Sequence, residues 1–341
     1  MLVDESDFPM MNMAKPQTST SSKQSLAARR RSEFENAQRR QKVNDQQKPA
    51  GKKQLPEPTH IGNFVMMLIM KACRMIILVD TSVKIGVYLI GVMIGSIICD
   101  LFVVPRTFMA DRHNVLNQYF VKLGWGWTFT FVGIYILLTS FVYCCRDVAK
   151  ICQHLMRLVV GTLWWYLCTS VFMHIESTMG ICTQPGHGDK AACLEAGKSW
   201  LGFDISGHVF LEIHCLLIIS EEVKTFKEWK RLGEILHSEH LQDKRNLSED
   251  EILQAQMNYK TLTPFIKVVV LILTIMLVLF EFMLLISTIY RFHTLPQKVS
   301  ASFIAVICWF LSYRVLFRSG NPFPFVPVMP GYCILNFMKV S

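Results

Sequence analysis

The sequence predicts an all-α integral membrane protein, a six-transmembrane-helix bundle with a disordered N-terminal tail, on three observations. Hydrophobic residues make up 51% of the 341-residue chain and mean hydropathy is +0.31, more apolar surface than one soluble core can bury. Apolar runs recur at a length that crosses a hydrocarbon slab of roughly 30 Å as a helix. Ahead of them lies a polar stretch with almost no aromatic residues from which to build a core.

In chain order, residues 1–60 are rich in Ser, Gln, Lys and Arg, with Arg29-Arg30-Arg31 and Arg39-Arg40, and read as a disordered basic cytosolic tail. They hold no short apolar core with a cleavage site, so the first span is expected to direct insertion. Residues 61–80 read as an interfacial amphipathic helix, because the run Phe64–Val79 is interrupted by Lys71 and Arg74 and closed by Asp80. A six-helix membrane domain, the seat of any catalysis, is expected over 81–318, with spans at roughly 85–104, 126–144, 157–175, 206–222, 264–289 and 298–317. Thr263-Pro264 should start the fifth of these as an N-cap followed by Pro at the first helical position. Residues 319–341 read as a cytosolic C-terminal tail.

The basic tail, the loop around Arg146, Lys150 and Arg157, and the Lys-rich 223–263 loop fall on one side, which the positive-inside rule makes cytosolic. Both termini are then cytosolic, and 105–125, 176–205 and 290–297 face the other compartment. Of the eleven cysteines, nine lie in or beside spans or on the cytosolic side, where thiols stay reduced or pack. Cys182 and Cys193 share the 176–205 loop, where either one bridge or two free thiols fits. The chain has no Cys-x-x-Cys pattern and no histidine box, so neither a metal nor another cofactor is expected.

This topology brings two histidines to one membrane edge. His208, in Phe-Asp-Ile-Ser-Gly-His, opens one apolar helix, and His293, in Tyr-Arg-Phe-His-Thr, closes the next. Ser206 can cap the incoming helix and Gly207 admits a close approach, so Ser-Gly-His is suited to receive an anion such as a phosphate. Arg291 and Lys298 flank His293, and Lys122 lies on the same side; such cations favour an anionic substrate and a neutral imidazole. The plainer reading places these side chains in the headgroup zone without chemistry. Glu212, one turn deeper than His208 on the same face, either accepts a hydrogen bond from that ring or pairs, protonated, with a neighbouring helix's hydroxyl. His214 points away from His208 and receives no role.

Asn114-Val115-Leu116-Asn117 with Tyr119-Phe120-Val121-Lys122, Trp165 through Ser170, Phe203 through His208, and Phe292-His293 with Gln297-Lys298-Val299 resemble the FIT (fat storage-inducing transmembrane) family. The resemblance covers roughly residues 80–318 and implies a relation to lipid phosphate phosphatases. It further implies a multi-pass protein of the endoplasmic reticulum membrane, with its active site facing the lumen, that supports lipid droplet formation. The implied reaction is fatty acyl-CoA diphosphate cleavage to acyl 4′-phosphopantetheine and adenosine 3′,5′-bisphosphate. His208 would protonate the leaving group and His293 would be the nucleophile. The wider phosphatase pattern carries an Arg six residues before its nucleophile and an Asp four after; here those positions are Ser287 and Gln297, and no Arg-Pro dipeptide occurs. The phosphate cradle and the carboxylate behind His293 are therefore left to other residues. The rival reading is a non-enzymatic membrane protein that binds di- or triacylglycerol and partitions it into nascent droplets. Expected partners are the acyl-CoA substrate, membrane lipids and droplet assembly proteins, with no nucleic acid.

Overall fold

A computed structural model describes residues 36, 61–102, 114–184, 189–238, 248–290, 293–318, 326–335 and 337–338. The chain divides into two units, Met1–His60 and Ile61–Ser341. Apart from residue 36, the expected disordered tail lies outside the described residues. The second unit is helical. It comprises α1 (Ile61–Ile77), α2 (Thr81–Leu101), a π-helical turn (Leu116–Val121), α3 (Gly124–Tyr143), α4 (Val148–Thr178), α5 (Lys190–Glu195) and α6 (Gly207–Glu222). After a 3-10 segment (Val223–Glu228) come α7 (Trp229–Leu236), α8 (Glu249–Ile289), and α9 (Leu295–Phe310) with a π-helical continuation (Leu311–Leu316).

Helix α6 is the axis of the bundle. Every residue from Val209 to Glu222 is buried, and α3, α4, α8 and α9 all pack on it. Its all-round apolar character belongs to a helix enclosed by protein. Around it, α2 and α8 run parallel: Tyr88 Oη donates to Glu281 Oε1 at 2.7 Å, and further along Gly95 sits against Thr288, where an added Cβ would come within 2.9 Å of the hydroxyl.

Two expectations change. Five helices among the described residues, α2, α3, α4, α8 and α9 with its continuation, are long and apolar enough to cross a membrane, whereas six were expected. The sixth expected span is α6, whose 16 residues run from the cavity end to the Arg157 end and continue directly into the 3-10 segment Val223–Glu228. The second change is at Thr263-Pro264, which starts no helix. Helix α8 begins fifteen residues earlier, where Ser248 Oγ accepts from Glu251 N (3.3 Å) and Glu251 Oε2 accepts from Ser248 N (3.0 Å), and it runs 41 residues through Pro264. This reciprocal cap is a stronger start signal than the Thr-Pro pair. Thr263 Oγ1 instead donates to Tyr259 O at 2.5 Å and accepts from Trp229 Nε1 at 3.1 Å. At about 62 Å long, α8 outreaches the slab about twofold. Its first turns stand outside the slab against α7, so much of the expected 223–263 loop is helix.

Past the end of α4 the chain forms a small lobe. Strands Ile181–Cys182 and Trp200–Leu201 pair antiparallel, with Cys182 opposite Trp200. Cys182 and Cys193 are joined by a disulfide, Cα atoms 5.9 Å apart. Trp200 Nε1 donates to Glu176 O (2.8 Å), and Gly180 leaves room for that indole, because a Cβ there would lie 2.0 Å from Nε1. At the opposite end, Arg157 donates to both carboxylate oxygens of Glu222 (2.7 and 2.8 Å) and to Val328 O (2.8 Å), and Tyr313 Oη donates to Glu222 Oε1 (2.8 Å). Part of the segment expected as a C-terminal tail packs into this end: Leu335 and Phe337 are fully buried, and Cys333 forms a disulfide with Cys144.

Candidate active site

The start of α6 and the start of α9 are tied together by their backbones. Ser206 ends its extended approach as the N-cap of α6, its Oγ accepting from Val209 N at 3.4 Å, while its own N–H donates to Gln297 O at 3.4 Å. On the other side, Thr294 caps α9, with Gln297 Oε1 accepting from Thr294 N at 2.9 Å and Pro296 in the first turn. Gln297 occupies the position at which the phosphatase pattern carries its carboxylate. In this chain it serves the cap.

These two helix starts bring His208 and His293 into one cavity of about 450 Å³, lined also by Asn117, Lys122, Asp204, Ser206, Gly207, Met283, Ile286 and Ser287. A Cβ on Gly207 would meet nothing within 4 Å, so the glycine leaves open space beside the first N–H groups of α6. Those amides and the positive end of the helix favour an anion. Lys122, at the end of the π-helical turn, adds a cation at the rim, its Nζ donating to Gln118 Oε1 at 3.3 Å.

Each imidazole has a defined neighbour. His293 Nδ1 donates to Asp204 O at 3.1 Å and lies 3.6 Å from Asp204 Oδ2, with the histidine side chain 16% exposed and the aspartate 52%. His208 Nε2 is 3.2 Å from Asn117 Oδ1; an amide oxygen there keeps a proton on that nitrogen. Neither Asp204 nor Asn117 was singled out from the sequence, although both stand inside the quoted motifs. What hid them is that their partners come from segments 89 and 91 residues away.

The remaining candidates are placed elsewhere or lie outside the described residues. Arg291 is outside them. Lys298 is buried, and its Nζ donates to the carbonyls of Thr288 and Tyr290 (2.7 and 3.0 Å), closing the end of α8; it is not among the residues lining the cavity. Glu212 accepts from Ser287 Oγ at 3.0 Å, a hydroxyl of the neighbouring helix, and its Oε2 is buried with no hydrogen-bond partner among the described residues. Ser287 itself lines the cavity, so Glu212 reaches the site through that hydroxyl. His214 packs between Trp125 and Phe210, with Nε2 bonded to Gly161 O at 3.1 Å.

The chain matches the family model described as fat storage-inducing transmembrane protein over residues 105–184 and 183–313. It is 32% identical over 281 residues to the Drosophila melanogaster protein named acyl-coenzyme A diphosphatase FITM2, covering 79% of this chain and 66% of that one. It is 31% identical over 261 residues to the Homo sapiens protein of the same name, covering 74% and 87%. To Homo sapiens fat storage-inducing transmembrane protein 1 it is 32% identical over 253 residues, covering 72% and 76%. No solved structure matches. With the family model spanning most of the membrane domain and the human relative covered nearly end to end, the chain belongs to the fat storage-inducing transmembrane (FIT) family.

Proposed function

We propose that this chain is a membrane-embedded acyl-coenzyme A diphosphatase that hydrolyses the diphosphate of fatty acyl-CoA, giving acyl 4′-phosphopantetheine and adenosine 3′,5′-bisphosphate. The observation that carries the reading is the cavity shared by His208 and His293 beside a helix N-terminus. Several relatives bear the name of this activity. A volume of about 450 Å³ suits the diphosphate and its adjoining groups, while the acyl chain stays in the bilayer.

The chemistry follows from the two rings. His293, its Nδ1 turned to Asp204, attacks phosphorus through Nε2, and the bridging oxygen departs with its electron pair. His208, entering the step as an imidazolium, gives that oxygen a proton and keeps the one that Asn117 holds on Nε2. Water then attacks the phosphohistidine with His208 as base, so one hard displacement becomes two easier ones. Ser206, Gly207 and Lys122 hold the charge that builds on the phosphoryl oxygens. Arg291 is a candidate for the same task. Asp204 steadies the imidazolium that forms on His293.

The setting we propose is the endoplasmic reticulum membrane, with the two termini in the cytosol and the cavity open to the lumen, as the basic residues at the Arg146–Arg157 end support. Lipid droplet support would follow from control of acyl-CoA in that membrane. The test is the full chain purified in detergent and given oleoyl-CoA. Equimolar acyl 4′-phosphopantetheine and adenosine 3′,5′-bisphosphate are expected by mass spectrometry. Oleate with intact CoA, or neutral-lipid binding without any product, would overturn the assignment.

A further inference from the structure

Ser287, in the last turn of α8, stands six residues before His293, where the wider phosphatase pattern carries an arginine. Its side chain lines the cavity together with the two histidines. On α6, Glu212 lies one turn deeper than His208, and its Oε1 is 3.0 Å from Ser287 Oγ. The two helices pack on each other, so a carboxyl and a hydroxyl from neighbouring walls meet at the inner end of the site.

Glu212 is fully enclosed, and its Oε2 meets no hydrogen-bond partner among the described residues. Among those residues no cation pairs with it, and the Ser287 hydroxyl is its polar neighbour. An ionised carboxylate held in this way would keep its charge without solvent or counterion, which is costly. The carboxylic acid fits the site. An acid has a carbonyl oxygen that accepts and a hydroxyl that donates, so its bond to Ser287 can run in either direction. With Ser287 donating, the serine offers the cavity only lone pairs. With Glu212 donating, the serine hydrogen is released to point into the cavity. A phosphoryl oxygen accepts and cannot donate, so a phosphate in the cavity selects the second direction. The first N–H groups of α6 and Lys122 face the same ligand from other walls, and fixed donors of this kind act on charge that builds in the transition state.

We propose that Ser287 binds a phosphoryl oxygen of the substrate and that Glu212 positions it, donating to Ser287 Oγ while the serine hydroxyl donates to the phosphate. A neutral donor pair then stands where the phosphatase pattern has its arginine. The assignment deepens the diphosphatase reading above and rests on it.

The test uses the full chain purified in detergent, with kcat and KM measured for oleoyl-CoA and with orthovanadate as an inhibitor that copies the five-coordinate phosphoryl group. Ser287→Ala is expected to lower kcat by about 10²-fold and to weaken vanadate inhibition by a similar factor, with a smaller change in KM. Ser287→Thr, which keeps the hydroxyl, should recover most of both. Glu212→Gln retains a donor for Ser287 and is expected to stay within about threefold of wild type. Glu212→Leu removes that donor and is expected to lower kcat about tenfold, with no fall in the denaturation midpoint, because an apolar side chain suits the enclosure. Wild-type kcat and vanadate inhibition in Ser287→Ala would overturn the proposal, as would Glu212→Gln falling as far as Glu212→Leu. Each variant is run beside His293→Ala. Equal cleavage by wild type and His293→Ala would sink the diphosphatase reading itself, whereas an inactive His293→Ala beside an unimpaired Ser287→Ala would sink this assignment alone.

Discussion

At His293 the two ring nitrogens have different tasks, and Asp204 is what separates them. Its carbonyl takes the Nδ1 proton at 3.1 Å and its carboxylate stands 3.6 Å from the same atom, so the ring is held in one tautomer. The carboxylate is half exposed, which makes it weaker than a buried triad aspartate, whose loss of function costs about 10⁴-fold. Asp204→Asn is accordingly expected to lower kcat for oleoyl-CoA by about 10²-fold with little change in KM. An unchanged kcat would remove Asp204 from the account. Histidines, capping serine and open glycine were all legible in the sequence, because each belongs to a short local motif. Asp204 and Asn117 were not legible as partners, since only the tertiary fold brings them to rings about ninety positions distant.

Among the elements, α6 is the one on which both ends of the molecule depend. His208 stands at its start and Glu222 at its end, and Glu222 is locked by Arg157 and Tyr313. Removing Arg157 leaves that carboxylate buried and unpaired. Arg157→Leu should therefore destabilise the protein by about 3–5 kcal/mol, read as a lowered denaturation midpoint in detergent. Exchanging the pair together, with Glu222→Met added, should recover much of the loss. A single variant as stable as wild type would show the pair to be dispensable. Hydropathy located the apolar part of every long helix and the end of α8 but not its start, because the 249–263 extension is polar and amphipathic and a Pro sits inside the helix. Nor did it show that α6 is enclosed on every side, since an enclosed helix and a lipid-facing one have the same apolar composition.

The unit Ile61–Ser341 is a bundle with a phosphate-type cavity at one end and an ion-paired, cysteine-bearing cluster at the other, about the length of α4 apart. Membrane sidedness connects the two. Cys152, exposed in the second turn of α4 near the Arg157 end, gives a direct readout in sealed microsomes. A membrane-impermeant maleimide is expected to label it from the cytosolic face without permeabilisation, and labelling only after permeabilisation would invert the topology. The composition announced the membrane class at once, while the docked C-terminal segment was hidden because its burial depends on Leu335 and Phe337 finding the bundle end.

The claim at the centre of the account is that the two histidines sharing one cavity do the chemistry. The measurement is kcat/KM for oleoyl-CoA diphosphate cleavage by wild type, His208→Ala and His293→Ala, each checked for a wild-type gel-filtration profile. Loss of the nucleophile is expected to lower it on the order of 10³-fold or more, and loss of the acid by roughly 10²–10⁴-fold. Cleavage by folded His293→Ala at the wild-type rate would contradict the account.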